Sequence, residues 1–175
     1  MNLKGKKIIL RPVEKEDAVR LMLWENEPNH WKVTGTEVPF SLASIHEYIA
    51  QSQQIRAHGQ LRLMICEIES GKSVGTIDLY NADFKHYRAA VGILIADSED
   101  REKGFAKEAL VLIEQYADQI LAFKNIHCSI HGDNEASIRL FEQAGYELVG
   151  KRTNWFLEKG KWLDEILYQK CLKKD

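Results

Sequence analysis

The amino-acid sequence predicts an α/β (α+β) fold: a mixed, mostly antiparallel sheet flanked by about four helices. Three observations lead there. β-rich runs and amphipathic helical segments are interleaved along the chain rather than segregated into halves. Three β-rich runs follow one another between residues 61 and 95 with only short connections, which pairs neighbours antiparallel. A strand, helix, strand, helix succession then runs from 88 to 144, before two closing strands. No repeat, low-complexity tract or linker interrupts this order, so residues 1–175 are expected to form one domain, long enough for a full hydrophobic core.

Each element has a local reason. Ile8-Ile9-Leu10-Arg11-Pro12 reads as a first strand ended by a proline that cannot donate to a ladder. Glu14-Lys15-Glu16-Asp17 starts a helix whose Ala18, Leu21, Met22 and Trp24 recur at helical spacing, and Pro28 is expected to stop it. Asn29 to Phe40, with Trp31, Gly35 and Pro39, reads as a loop. Ser41 is an N-cap candidate for a second helix through about Ala57, with Gly59 after its end. Leu61 to Glu67 and Val74 to Tyr80 form a hairpin through the turn Glu69-Ser70-Gly71-Lys72. Polar residues Asn81 to Tyr87 connect to a run from Arg88 to Ile95. After a charged turn, Gly104 opens a long helix to about Ala122, with Ala106, Ala109, Leu110, Ile113, Ala117 and Ile120 in one stripe. Asn125 to Ile130 is a strand, and Asp133-Asn134 caps a helix to Ala144 that Gly145 ends. Tyr146 to Leu157 and Lys161 to Lys170 close the fold around Glu158-Lys159-Gly160.

Composition removes several function classes. Hydrophobic residues at 45% and charged residues at 29% describe an ordinary globular chain. The formal charge of −2, with no dense Lys/Arg run outside the tail Lys173-Lys174, argues against a nucleic-acid partner. No window approaches a membrane span, and Met1 to Lys7 is not followed by a signal-length apolar stretch, so a cytoplasmic protein with no membrane partner is expected. Cys66, Cys128 and Cys171 are odd in number and far apart, which suits buried free thiols rather than a zinc site. His30, His86, His127 and His131 show no metal-like clustering. His127 and His131 share a strand face but stand well apart, and no metal is expected. Among the aromatics, Trp31, Phe40, Trp155, Phe156 and Trp162 are acceptor-cleft candidates, although those of the final hairpin are expected as sheet-face core.

The chemistry concentrates between residues 90 and 146. Ala90-Val91-Gly92-Ile93-Leu94-Ile95 runs into Arg101-Glu102-Lys103-Gly104-Phe105-Ala106. A strand that stops before a short turn and a helix N-terminus makes an anion site, because first-turn N–H groups lack partners and the helix dipole favours negative charge. Gly104 and small Ala106 let the backbone approach a ligand, and Arg101 and Lys103 add positive charge. A pyrophosphate complements such a turn.

Arg101-x-x-Gly104-x-Ala106 after this strand resembles the acetyl-coenzyme A motif of the GNAT acyltransferase superfamily. Asp133-Asn134-Glu135-Ala136-Ser137-Ile138-Arg139-Leu140-Phe141-Glu142-Gln143-Ala144-Gly145-Tyr146 resembles the Asn-led helix of the same family. The similarity is greatest to the subgroup of ribosomal-protein N-terminal and spermidine acetyltransferases, and it extends to Ile9-Leu10-Arg11-Pro12 and to the hairpin at Glu158 to Asp164. The resemblance implies an N-acetyltransferase with acetyl-coenzyme A as co-substrate. It implies that backbone N–H groups of Arg101 to Ala106 hold the pyrophosphate, that Ile93, Leu94 and Ile95 pair with the pantetheine arm, and that the Asn134 amide bonds the same arm. Glu102 stands where many relatives have glycine.

The same resemblance implies two departures. Phe141 stands where many relatives carry a tyrosine general acid, leaving Ser137, which matches a serine beside the sulfur in the ribosomal-protein subgroup. Ala90 stands where relatives often carry a glutamate base, leaving Glu37 and Asp78 as acidic candidates. Magnitudes then bear on the acceptor. An amine of pKa about 10.4 is neutral in about one part in 2,500 at pH 7, a cost near 4.6 kcal/mol, whereas an α-amine of pKa about 7.7–8 costs about 1–1.5 kcal/mol. Direct attack by a peptide or protein α-amine in a ternary complex is the expectation. The alternatives are a polyamine or other small-amine acetyltransferase and a non-catalytic acyl-coenzyme A-binding module. A homodimer through the last hairpin is a further expectation.

Overall fold

A computed structural model of the chain describes residues 3–172; Met1, Asn2 and the tail from Lys173, including the Lys173-Lys174 pair, lie outside the described residues. Strands β1 (Ile8–Pro12), β2 (Leu61–Glu67), β3 (Ser73–Asp83), β4 (Arg88–Ile95), β5 (Asn125–His131), β6 (Glu147–Glu158) and β7 (Lys161–Cys171) form one sheet in the order β1-β2-β3-β4-β5-β7-β6. Every pairing is antiparallel except β4 with β5. That parallel pair requires a crossover, which helix α5 (Phe105–Gln119) supplies.

Strand alternation decides what lies on each face. Leu61, Leu63 and Ile65 of β2 join the larger core with Phe105, Leu110 and Ile113 of α5. Met64 and Cys66 point the other way, into a smaller core with Leu21 of α1 (Ala18–Glu25) and Ile45 and Ile49 of α3 (Leu42–Gln51). Leu110 and Ile113 are fully buried, each worth about 1.5–3 kcal/mol of transfer free energy.

The helices among the described residues number six rather than about four, because part of an expected loop is helical and one expected helix divides. Pro28 begins a helix instead of only ending one: α2 (Pro28–Thr34) occupies part of the stretch read as a loop. Its proline sits where a missing N–H costs nothing, the Glu27 side chain accepts from Asn29 N–H at 3.2 Å, and Gly35 closes it at φ 68°. The expected helix from Ser41 to Ala57 splits into α3 and α4 (Ile55–His58). The break falls at buried Ser52, whose carbonyl accepts from Arg62 N–H of β2 at 3.0 Å and so leaves the helical ladder. The last helix is α6 (Glu135–Gln143). No helix among the described residues is long and apolar enough to cross a membrane.

Two further expectations need correction. Trp155 and Trp162 are 53% and 58% exposed rather than core, because Trp155 lies on β6, the sheet edge, and Trp162 lies at the turn end of β7, before the Glu165–Cys171 stretch that pairs with β5. Cys66 and Cys128 are buried thiols, but Cys171, the last residue of β7, is exposed.

The feature that positions the site is a wedge in the sheet. β4 and β5 pair only from Arg88 with Asn125 to Ala90 with His127. Beyond that point β4 stays with β3 as far as Ile95 opposite Gly75, and β5 stays with β7 as far as His131 opposite Glu165. The two strands therefore part, and residues 91–95 of β4 face the gap without a strand partner. Gly75 is what keeps β4 close to β3: a Cβ there would lie 1.9 Å from the Leu94 carbonyl oxygen. Gly75→Ala is expected to destabilise the protein by about 2–3 kcal/mol. The measurement is urea unfolding, where the midpoint should fall with little change in slope.

Candidate active site

Between β4 and α5 the chain makes a 3₁₀ turn, Ser98–Asp100, and then a tight bend. Glu102 at φ 61° and Gly104 at φ 86° both occupy the left-handed region. This explains the glycine at 104, and it shows what the glutamate at 102 costs, since a non-glycine residue there is strained. No side chain caps α5 at Gly104, so the first N–H groups of this 15-residue helix remain for an anion.

The charge around that turn differs from the expectation. Lys103 Nζ lies 2.9 Å from Asp100 Oδ1, and Lys72 Nζ reaches the other oxygen of the same buried carboxylate at 2.7 Å. Lys72, and against it burial, set the Asp100 carboxyl, which ends below the usual carboxylate range. The Lys103 charge is thus largely neutralised. Arg101 has no acidic partner among the described residues and donates only to the Ala96 carbonyl at 3.5 Å. Lys7, from before β1, brings a second cation, its Nζ donating to the Lys103 carbonyl at 2.8 Å. Asp97, Glu99 and Asp100 cluster closely enough to suggest a metal, but the Lys72 ammonium sits against all three, at 3.1, 3.1 and 2.7 Å.

Two cavities meet at the wedge. One of about 630 Å³ lies along the bend, with Arg101, Glu102, Gly104, Phe105 and Ala106 on one wall and Asn134 and Ser137 on another. The second, about 350 Å³, is lined by Glu25, Arg62, Asp78, Tyr80, Ser129 and Phe141 among others. Its walls include residues from both faces of the sheet, so it passes through the gap between β4 and β5. Six residues line both cavities: Val33, Ile93, Leu94, His131, Asn134 and Ser137. Ile95 and Lys107 border only the larger one.

Helix α6 presents its N-terminus to this junction. Asn134 Oδ1 caps it by accepting from Ser137 N–H at 3.2 Å. The Asn134 amide NH₂ makes no hydrogen bond among the described residues, which leaves two donors for a ligand. Phe141 is buried with its ring edge-on to Tyr146, centroids 4.9 Å apart, so this side chain serves packing.

The two acidic candidates fall apart in space. Asp78 is buried in the wall of the smaller cavity, its Oδ1 accepting from Arg62 Nε at 2.7 Å and from the Tyr48 hydroxyl at 3.4 Å. Arg62 also pairs with Glu25, so one guanidinium serves both lining carboxylates and the group carries a net charge of −1. Glu37 is exposed between α2 and α3 and borders neither cavity. Burial raises the Tyr80 phenol, which stays protonated, and pushes the Cys128 thiol up to about 12.

Sequence reasoning missed four contributors. α2 supplies Asn29, Lys32 and Val33 to the cavity walls from a segment read as loop. Lys7, just before β1, and Arg62 of β2 reach the site from distant parts of the sequence. His131 ends β5 and lines both cavities, its ring stacked on Phe156 at 3.8 Å and 5°. Its place two residues before Asp133-Asn134 was the one available signal.

Residues 7–147 match the family model described as Acetyltransferase (GNAT) domain. The chain is 25% identical over 165 residues to the SPbeta prophage-derived uncharacterized N-acetyltransferase YokL of Bacillus subtilis (strain 168), covering 94% of this chain and 89% of that one. It is 24% identical over 158 residues to the alpha/beta-tubulin-N-acetyltransferase 9 of Mus musculus, covering 84% and 64%. Its fold is similar to that of the Vibrio cholerae spermidine N-acetyltransferase solved with CoA and spermine, with a TM-score of 0.85, 20% identity and coverage of 96% and 97%. With a family match across most of the sheet, and with the bend and α6 on either side of the wedge, the chain belongs to the GNAT acetyltransferases and is an acetyl-CoA-dependent N-acetyltransferase.

Proposed function

We propose that this enzyme acetylates the α-amine of a peptide or protein by direct attack in a ternary complex, and that residues 1–175 form one acetyltransferase domain. One observation carries the acceptor class: both carboxylates lining the smaller cavity, Glu25 and Asp78, are already held by Arg62. Neither is free to strip a strongly basic amine, and an α-amine needs only about 1–1.5 kcal/mol to present its neutral form at pH 7. A relative named for tubulin supports a protein acceptor. The second reading, a polyamine, is favoured by the net −1 charge at this cavity and by the similarity to a spermidine acetyltransferase.

The donor reading rests on fit. The uncapped N-terminus of α5 with Arg101 and Lys7 suits the pyrophosphate, the unpartnered edge at Ile93, Leu94 and Ile95 suits the amides of the pantetheine arm, and the free Asn134 amide suits the same arm. Acetyl-CoA, when bound, supplies an acetyl thioester whose carbonyl carbon is the electrophile. We assign to Ser137, which lines both cavities, hydrogen-bond donation to the leaving sulfur. Cys128 also lines the wedge, but it remains a thiol at neutral pH, which favours direct attack over an acyl-cysteine route.

The acceptor is tested by thiol release at pH 7 with equal concentrations of α-amino peptides, an N-blocked lysine peptide and spermidine. Turnover should be fastest with an α-amine, and turnover of spermidine alone would overturn the reading. Glu102→Gly relieves a left-handed strain and removes a carboxylate from an anion site, so calorimetry should show CoA binding about two- to fivefold tighter. The closing hairpin exposes Leu148, Val149, Trp155, Leu157 and Trp162, which supports the homodimer expectation. Light scattering should then give twice the chain mass, falling to one chain in Trp155→Ser/Trp162→Ser.

A further inference from the structure

We infer that His131 is the proton acceptor of the transfer reaction, acting through the ring edge that carries Nε2. The inference rests on reading the two cavities as donor and acceptor sites. Reacting atoms must approach to about 3–3.5 Å, and only the zone common to both cavities is open to both substrates. Of the six side chains that line this zone, Val33, Ile93 and Leu94 have no polar atom, and the Asn134 amide and Ser137 hydroxyl do not take up a proton near neutrality. His131 is the one of the six that does.

Its surroundings suit that task. The ring makes no hydrogen bond among the described residues. Nδ1 is sealed from solvent without a partner, so Nε2 is the nitrogen left to exchange a proton, on a residue that lines both cavities. The stacked Phe156 fixes the ring plane. Charges face the ring from each neighbouring segment: Lys32 on α2, Asp133 in the turn after β5, Glu158 on β6 and Glu165 on β7. Lys32 is paired with Asp133, and Glu165 with Arg152. Burial, then Lys32, holds the imidazolium below its ordinary pKa against the three carboxylates, so the ring is neutral at pH 7 and ready to accept.

The acceptor nitrogen bonds to the acetyl carbonyl carbon, and the carbon–sulfur bond breaks with its electron pair going to sulfur. The proton shed by nitrogen passes to His131 Nε2 and from there to the sulfur, so coenzyme A leaves as a thiol and the ring returns to neutral. Nitrogen bonded to that carbon is far more acidic than a free ammonium, which is why a weakly basic histidine suffices without a free carboxylate. The base form exists above the ring's pKa and is lost as pH falls through it, so the acid limb of kcat lies below about pH 6.5.

His131→Gln removes the titration while keeping a polar side chain. It should lower kcat about 100-fold or more, abolish that acid limb, and leave CoA affinity within twofold. His127→Gln, on the same face of β5, should change none of these. Without acetyl-CoA, ¹⁵N-histidine NMR of the wild type should show one ring, absent from His131→Gln, that titrates below 6.5 and shifts when amine and CoA are added. Rates are measured with whichever amine turns over fastest, so failure of the α-amine preference leaves this test intact. A His131→Gln enzyme that binds CoA normally yet retains kcat within threefold, or a ring resonance that the amine does not move, would overturn the assignment. If the glutamine variant does not bind CoA, His131→Asn decides by the same criteria.

Discussion

The active site depends on one constraint, that β4 and β5 may not stay paired past Ala90 and His127. Closing the gap would add ladder hydrogen bonds worth about 0.5–1.5 kcal/mol each. Each strand is instead committed on its far side, β4 to β3 through the close approach at Gly75 and β5 to β7 through to Glu165. The sheet twist then separates them, because neighbouring strands held to different partners rotate relative to one another. α2 is pinned beside the opening by buried His30, whose Nδ1 and Nε2 lie 2.8 Å from the Trp24 carbonyl and 3.1 Å from the Ala96 carbonyl. The opening persists because its walls are held from outside.

Electrostatics divide the passage into two ends. The donor end offers backbone N–H groups, Arg101 and Lys7, with Lys103 withdrawn into pairing with Asp100. The acceptor end is built around Arg62, a buried cation between Glu25 and Asp78 with the Tyr48 ring against it at 4.9 Å. Removing either carboxylate would leave part of a buried charge uncompensated, so these acids are structural first. That organisation leaves neither carboxylate free of the Arg62 guanidinium, which is the ground for assigning proton transfer to a neutral group at the junction.

What the sequence determined by itself is what local physics determines. Period-two and helical apolar spacing placed the seven strands, α5 and α6, and the glycine at 104 and asparagine at 134 marked backbone conformations that the structure contains at those positions. The family motifs lie on those same segments, so the fold and the family were readable together. Only tertiary structure decided the rest. A seven-residue helix such as α2 is marginal alone and exists because His30 and its caps anchor it. The charge available at the bend depends on Lys72 and Lys7, which are far away in sequence, and the exposure of Trp155 and Trp162 depends on the closing hairpin lying at the sheet edge with its turn end beyond the pairing with β5. His131 looked like any strand histidine until the parting of β4 and β5 brought it to the junction, because a side chain's chemistry is set by its neighbours, and those neighbours come from six different segments of the chain.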